Sequence, residues 1–495
     1  MRRRSLLRLS SGRSRERGVV RRTLMVCTLA AMAAGGTSAH AQDASADDST
    51  QATPVQNVST RPVLRSNRWQ EDWSALADPA LRTQWGDALK YIPLSASDPG
   101  TYLSLGVNLR ERVEMSDAAN FGIGHNPNDT YLLQRFQWHA DLRFATYWQA
   151  FVQFEDALTV GKQVIGGADR NPWDLRLAFL TYARTFDAGT FKARVGRQDF
   201  AFDLQRFVSL RDGPNVRQSF DAIWVDWETG KWRFIAFVSQ PVQYSDVHPF
   251  DDTSNRHFRF DTLRVERLVW GKNELSAYYS RYDRDNARYL DAAGTEHRDV
   301  YDVRFAGSHA GVDWDVEGML QRGHVGGKDI DAWGSGARAG YTLDLSWQPR
   351  AGLQVDAASG DRHPGDRTLG TFNPLFPNGY YFTLAGFTGY ANLVHIKPSV
   401  TVKPLSKLAV MGAVGFLWRQ TTADAIYVQP NIPLPGTAGR GGRWTGVYGQ
   451  VRADYAFNAN FTGAVEAVHY DAGSAIRMAN GRDGDYIGVE GKFMW

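Results

Sequence analysis

The feature that most constrains this chain is a strict alternation of apolar and polar residues in segments of about ten residues. Between residues 132 and 144 the apolar side chains share one face of an extended chain, and Arg135, Gln137 and His139 share the other. Residues 337–347 repeat the pattern, with every odd position apolar. Because successive side chains of a β-strand point to opposite faces, this alternation predicts strands with one apolar and one water-facing side.

The connections between these segments alternate in length. Short ones are predicted at Thr146 and at residues 186–189, 228–231, 270–273, 309–311, 348–350, 403–407 and 457–460. Long ones are predicted at residues 116–130, 157–172, 200–218, 240–257, 284–298, 322–335, 360–388, 420–442 and 471–484. This order gives an even number of strands with both termini on the short-turn side. We therefore predict an all-β fold, a transmembrane antiparallel β-barrel of about eighteen strands with long extracellular loops and short periplasmic turns.

Two other observations separate this prediction from a soluble β-sandwich or propeller. Tryptophans such as Trp148, Trp227 and Trp347 fall near predicted strand ends, where the aromatic girdles of a membrane barrel lie. The longest apolar stretch after the N-terminal region is Leu408–Trp418, which is too short to cross a bilayer as a helix. A closed barrel is then the spanning structure that the sequence allows.

The first 41 residues have the parts of a secretory signal peptide. Nine arginines precede an apolar run at Leu24–Ala34, which is followed by Ala39-His40-Ala41. We predict cleavage after Ala41 and localisation in the outer membrane of a Gram-negative bacterium. The only cysteine, Cys27, lies in this segment, which excludes a disulfide framework or a zinc cluster in the mature chain.

The mature chain is then predicted to have three parts and a mildly acidic charge. Residues 42–64 form a disordered linker, residues 65–99 an N-terminal periplasmic segment that packs on the barrel, and residues 100–495 the barrel itself. Removing residues 1–41, with nine Arg and one Glu, leaves 47 basic against 52 acidic residues, a net charge of −5. This balance argues against a nucleic-acid-binding protein.

The last strand predicts two partners of the chain. Ile487, Val489, Phe493 and Trp495 share one face, which we expect to contact outer-membrane lipid and lipopolysaccharide. We also expect the terminal Trp495 to be read by the barrel assembly machinery.

The face opposite the apolar one is predicted to line the lumen. Its cations include Arg110, Arg112, Arg135, Arg143, Arg176, Arg304, Arg338, Lys397 and Arg452, and acids such as Glu114, Glu155 and Asp356 share that face. Rings of cations in a pore select anions, and Arg binds carboxylates through two parallel hydrogen bonds. The alternative is that these arginines and acids brace the wall as ion-pair ladders.

The segment 196–221 is unusually charged for a loop. It contains Arg197, Arg206, Arg211 and Arg217 together with three aspartates. This composition predicts a loop folded into the pore and held by ion pairs. A constriction loop and a loop pinned to the inner wall both fit that pattern.

This segment resembles the alginate-export family of outer-membrane porins. Residues 68–73 with 89–94 are similar to the opening of that family, residues 105–114 to its first strand, and residues 359–361 with 370–377 to a later loop, so the resemblance runs in order over residues 65–495. It implies a monomeric eighteen-stranded barrel whose arginine-rich lumen conducts a polyuronate by passive diffusion. The positions carried over from the matching motifs are Arg110, Arg112, Arg197, Arg206, Arg211 and Arg217. The net charge of −5 departs from this pattern and implies weaker anion selection.

Three other functions remain open. A general porin, or one specific for small anionic nutrients, would share the same barrel. A barrel-type lipid hydrolase would need a Ser and His pair, and although His139, His309, His395 and His469 are candidates, no serine stands at an evident partner spacing. An adhesive barrel would use the long loops at 360–388 and 420–442. We predict that the protein is not an enzyme and has no cofactor. We also predict no metal site, because Asp251-Asp252 and Asp283-Arg284-Asp285 lack the spacing of calcium loops.

Overall fold

The computed structural model describes residues 61–124 and 128–495. The predicted signal peptide and nearly all of the predicted linker lie outside these residues. The division of residues 42–99 between linker and N-terminal segment therefore stays a prediction.

Eighteen long strands dominate the described chain, and they are numbered β1–β18 in order. Their bounds are Tyr102–Ser116, Asp129–Phe144, Trp148–Val160, Asn171–Phe186, Gly189–Gln198, Phe220–Thr229, Trp232–Gln243, Phe258–Leu268, Glu274–Arg288, Ala293–His309, Val312–Val325, Lys328–Thr342, Arg350–Ala358, Leu393–Leu405, Leu408–Trp418, Trp444–Ala456, Phe461–Ala472 and Gly484–Met494. Short two-residue strands at 92–93, 253–254 and 368–369 extend the same sheet, and a separate pair joins 427–428 to 432–433.

Each long strand pairs antiparallel with the next, and the last pairs with the first. In β1, Val113 lies opposite Leu132 of β2 on one side and opposite Val489 of β18 on the other. Because the first and last long strands pair with each other, the sheet closes on itself. The predicted eighteen-stranded antiparallel barrel is confirmed.

The alternation of the sequence becomes two different faces of the wall. In β1 the inward positions Ser104, Arg110 and Arg112 are buried, while the odd positions between them are partly exposed. The outward positions are apolar around the barrel, for example Ile223, Leu263, Val303, Leu320 and Val465. An outward apolar face suits lipid, and the inward positions are buried because segments of the same chain fill the lumen.

Two of the predicted long loops are wrong. The connections expected at 284–298 and 322–335 are only residues 289–292 and 326–327, because β9–β12 continue as ladders, with Asp283 opposite His297 in β9 and β10. These strand ends carry polar residues on both faces. A strand that extends past the membrane no longer needs an apolar side, so the alternation that marks it disappears while its backbone pairing continues.

In the part of the chain that the structure describes, helical structure is confined to short turns. The 3₁₀ turns are Arg68–Gln70, Ser74–Ala77, Pro79–Leu81 and Ala119–Gly122, and the α-helices are Asp87–Lys90 and Ser474–Met478. Within residues 61–124 and 128–495, no helix has the length and apolar content needed to cross a bilayer.

Candidate functional site

Two long connections fold into the lumen and pack against each other. Residues 199–219 link β5 to β6, and residues 359–392 link β13 to β14. The backbone N–H of Ser209 donates to the carbonyl of Phe376 (3.0 Å), and the N–H of Phe376 donates to the carbonyl of Phe207 (2.9 Å). We call these two segments together the lumen plug.

The plug has an aromatic interior. Phe207 packs edge-on against Phe372 and Tyr390 at ring distances of 5.5 and 5.1 Å, and Phe382 lies 4.9 Å from Tyr390. These rings belong to one buried apolar cluster that continues into the wall. The loops are therefore packed inside the barrel as a core, because each buried ring removes apolar surface from water.

Arg206 fastens the plug to the wall. Its side chain is fully buried, and it donates to the Tyr381 hydroxyl at 2.6 Å and forms ion pairs with Glu317 and with Asp315, the latter at 3.2 Å. Both acids lie on β11. A guanidinium enclosed in this way contacts protein groups on every side, so Arg206 braces the loop rather than facing an open path.

A second group of arginines grips the tip of the same loop. Arg110 donates to the carbonyls of Asp212 (3.1 Å) and Gly213 (3.2 Å), and Arg135 binds the Asp212 carboxylate at 2.6 Å. Arg217 lies 3.4 Å from the same carboxylate. The ion pairs of the wall thus determine where residues 212–215 sit in the lumen.

Most of the other predicted cations join wall ladders. Arg112 pairs with Glu114 and Glu466, both at 2.6 Å, and with Glu490 at 3.4 Å. The remaining pairs are Arg110 with Glu490, Arg176 with Asp199 and Glu155, Arg197 with Asp221, Arg304 with Asp203, Glu274 and Asp315, and Arg452 with Asp454 and Glu466. Arg143 pairs with Asp141 and donates to the Glu71 carbonyl. These contacts match the bracing alternative.

Three of the predicted cations form no ion pair among the described residues. Arg338 on β12 lies in register with Gln354 of β13, which lies in register with Lys397 of β14. Lys397 donates to the carbonyls of Tyr381 (3.3 Å) and Phe382 (3.1 Å). The third cation is Arg211 in the plug, whose guanidinium donates to Gln218 (3.3 Å).

Sequence reasoning missed several inward cations. Arg264 and Arg298 are buried and pair with Asp203 and Glu296 respectively. Arg298 shares the parity of Asp302 and Arg304, but it fell inside the wrongly predicted loop at 284–298. Arg264 shares a face with Thr262 and Glu266 and alternates with Leu263 and Val265, and that pattern was a sufficient signal for it.

The N-terminal segment lies at the short-turn end of the wall. Trp69 is buried against Phe179, and the Arg194 guanidinium lies 3.7 Å from its ring centre. Lys90 donates to the Leu105 carbonyl at 2.8 Å. Its ammonium also lies 4.5 Å from the ring centre of the terminal Trp495, so this segment contacts both ends of the barrel sequence.

One of the histidine candidates for catalysis, His395, is buried with both ring nitrogens in hydrogen bonds. Its two ring nitrogens face the Asp356 carboxylate (3.1 Å) and the Tyr448 hydroxyl (2.9 Å). Neither nitrogen is left to activate a serine.

Comparison with known proteins determines the family. The model of the Alginate export family matches residues 101–490, which is most of the chain. The chain belongs to the Alginate export family. This finding confirms the resemblance seen in the sequence, and the family and fold are those of outer-membrane channels of Gram-negative bacteria.

Solved structures similar to this member of the family are barrels of Pseudomonas aeruginosa. OccK2 (OpdF) in complex with glucuronate has 12% identity and a TM-score of 0.52, with 79% of this chain and 96% of that chain covered. OpdK has 11% identity and a TM-score of 0.53, with 79% and 98% covered. At these identities the similarity concerns the fold. No match was found among curated proteins.

Proposed function

We propose that this barrel conducts an anionic polysaccharide or oligosaccharide, a polyuronate such as alginate, across the outer membrane by passive diffusion. The observation that carries the proposal is the pair Arg338 and Lys397, two inward cations that form no ion pair among the described residues. Most of the other cations on the predicted path are already neutralised by wall carboxylates. A passing carboxylate therefore gains most at this pair, because charge-assisted hydrogen bonds are stronger than neutral ones.

The position of the pair supports a role on the path. Arg338 lies four residues from the short-turn end of β12. Lys397 donates hydrogen bonds to the Tyr381 and Phe382 carbonyls of the plug. A solute that reaches the plug from the short-turn side meets both cations. Their strands are separated only by β13, so the backbones lie roughly 10 Å apart.

A second candidate is a channel for small uronates or similar anions. Two observations favour it: the plug packs side chains against the inner wall in one buried cluster, and the similar barrel OccK2 (OpdF) was solved in complex with glucuronate. Polymer and monomer share the carboxylate that the cation pair would bind, so the same experiment compares them.

The test is single-channel conductance in planar bilayers, with block by polymannuronate, polyguluronate, glucuronate and a neutral glycan. Arg338→Gln with Lys397→Gln should weaken polyuronate block by about tenfold or more, since each charged hydrogen bond contributes roughly 1.5–3 kcal/mol. The charge-matched control is Arg322→Gln with Lys407→Gln, at exposed positions outside the lumen.

The outcomes separate the candidates. Stronger block by polyuronates than by glucuronate supports the polymer channel, and the reverse order supports the small-anion channel. Cation preference with no effect of any uronate would refute both. Equal block in the two double variants would remove Arg338 and Lys397 from the path.

A further inference from the structure

An acidic cluster at the extracellular end of the wall joins two elements that are distant in sequence. Asp174 lies near the start of β4, and Asp251 and Asp252 lie in the connection between β7 and β8. One carboxylate oxygen from each of the three lies within 4.8 Å of the others. The backbone N–H groups of Asp251 and Asp252 donate to one oxygen of Asp174 at 3.0 and 3.2 Å, so the connection rests directly on β4.

The protein places no cation of its own against these three carboxylates within the described residues. The nearby Arg197 is committed to Asp221 and reaches only the backbone carbonyl of Asp252, at 3.5 Å. Arg176, two residues after Asp174, is committed to Asp199. The three carboxylates accept hydrogen bonds from Asn171, from Ser245 and from backbone N–H groups, but no cation of the described residues pairs with them, although burial makes such charge costly.

A buried side chain beside the cluster independently points to a ligand. Asn171 is only 3% exposed, and its amide donates to Asp252 at 2.8 Å through Nδ2 while its Oδ1 has no hydrogen-bond partner. One oxygen of Asp251, Oδ1, is likewise buried and without a donor. Rotation of the Asn171 amide by 180° would place Oδ1 toward Asp252. Buried oxygens without donors are uncommon in proteins and call for an explanation such as an ion.

We propose that Asn171, Asp174, Asp251 and Asp252 bind a divalent cation of the Ca²⁺ type. All four supply oxygen, which is the ligand that Ca²⁺ takes, and Ca²⁺ accepts the irregular geometry that two separate chain segments offer. Mg²⁺ requires a near-ideal octahedron and holds its water more strongly, so it fits this cluster less well. The bound ion would fix the connection 244–257 to β4 at the channel mouth.

The energetic state of the cluster is consistent with such an ion. Burial and the neighbouring Asp174 raise the pKa of Asp252 to about 6. A cation held among the carboxylates offsets both effects, because it neutralises the charge that burial and repulsion disfavour.

The test uses the full mature chain folded in detergent without lipopolysaccharide. Terbium(III) is the probe, because Trp173 is adjacent to Asp174 and can sensitise the luminescence of the ion. We expect one Ca²⁺-displaceable site per chain, with Mg²⁺ displacing less well. Asp251→Asn with Asp252→Asn should weaken Ca²⁺ affinity by at least about tenfold, since the charge of the ligand set determines affinity.

The control variant is Asp471→Asn with Asp483→Asn, which removes two acids that pair with Arg477 at another extracellular position. It should bind Ca²⁺ like the wild type. Equal affinity in the two double variants, or no terbium luminescence on tryptophan excitation, would overturn the proposal.

A milder variant keeps the test valid if the double substitution prevents folding. Asn171→Ala leaves all three carboxylates in place and should lower Ca²⁺ affinity severalfold. Ca²⁺ should also slow tryptic cleavage after Arg256 in the wild type but not in Asn171→Ala. Unchanged affinity together with unchanged protection would refute the site.

Discussion

The buried contact of Arg206 allows the lumen plug to be released by one substitution. Arg206→Met introduces an unbranched apolar side chain and removes the positive charge that compensates Glu317 and Asp315. Asp315 retains Arg304 at 2.6 Å, whereas Glu317 has no other ion pair among the described residues. Asp356, 3.8 Å from the same guanidinium, keeps its hydrogen bonds with the Tyr381 hydroxyl (2.8 Å) and with His395 (3.1 Å). The carboxylate that loses the most compensation is therefore that of Glu317.

The cost of Arg206→Met can be worked from the buried ion pair that Glu317 loses. Breaking a buried ion pair by removing one partner costs about 3–5 kcal/mol. Because each 1.4 kcal/mol is tenfold in an equilibrium constant, about 3 kcal/mol raises the released population of residues 199–219 by roughly 100-fold. The aromatic contacts around Phe207 remain, so the barrel itself should stay folded.

The release can be measured by maleimide labelling of Ser209→Cys in the mature chain, in which it would be the single cysteine once the predicted signal peptide is removed. Ser209 is 0% exposed and lies at the contact with Phe376, so its reaction rate reports the opening of the plug. Arg206→Met should raise the labelling rate by roughly 100-fold, with more frequent conductance steps in bilayers. Adding Glu317→Gln should reverse most of the increase, because loss of both partners costs far less than loss of one.

The control for this experiment is Arg452→Met, which removes an ion pair between wall strands without contact to the plug. Its labelling rate should stay near that of the reference protein. An unchanged rate in Arg206→Met, or an equal increase in Arg452→Met, would refute the assignment of Arg206 as the fastener.

The remaining predictions concern the N-terminal segment and the last residue. Burial lowers the pKa of Lys90 to about 7. Between about pH 7 and 10.5 the unfolded segment therefore binds more protons than the packed one, so its packing on the barrel should become more stable as pH rises through that window. The protease resistance of residues 61–91 should increase over the same window in the wild type but not in Lys90→Met. Trp495→Ala removes the ring that lies against Lys90 and its contact with Trp85, whose ring centre is 5.9 Å away. It should therefore reduce the yield of heat-modifiable folded barrel in membranes, measured by gel mobility. Trp270→Ala, at an exposed tryptophan, is the control.

The period-two pattern predicted the fold because a strand's local sequence records which face meets lipid. It predicted Arg112 as inward for the same reason. It did not predict that Arg112 binds Glu466 and Glu490, which lie 354 and 378 residues further along the chain. Those partners are set by closure of the barrel, which brings β17 and β18 beside β1, and no local pattern records that contact.

The interior was predictable in kind but not in detail. The charges in 196–221 indicated a loop held by ion pairs, yet whether Arg206 faces a solute or an acid depends on Glu317, on a different strand. Asp251 and Asp252 likewise gave no metal spacing by themselves. Their third acid, Asp174, is supplied by the tertiary fold across 77 residues.

Both segments of the plug are covalently joined at each end to neighbouring strands, one to β5 and β6 and the other to β13 and β14. After any opening it meets its binding surface as an intramolecular partner, at an effective concentration in the millimolar range for short tethers. Reclosure should therefore be fast and independent of protein concentration. The largest solute that passes would then be limited by how far a tethered loop can swing, and the diameter of the eighteen-stranded wall would only set the upper bound.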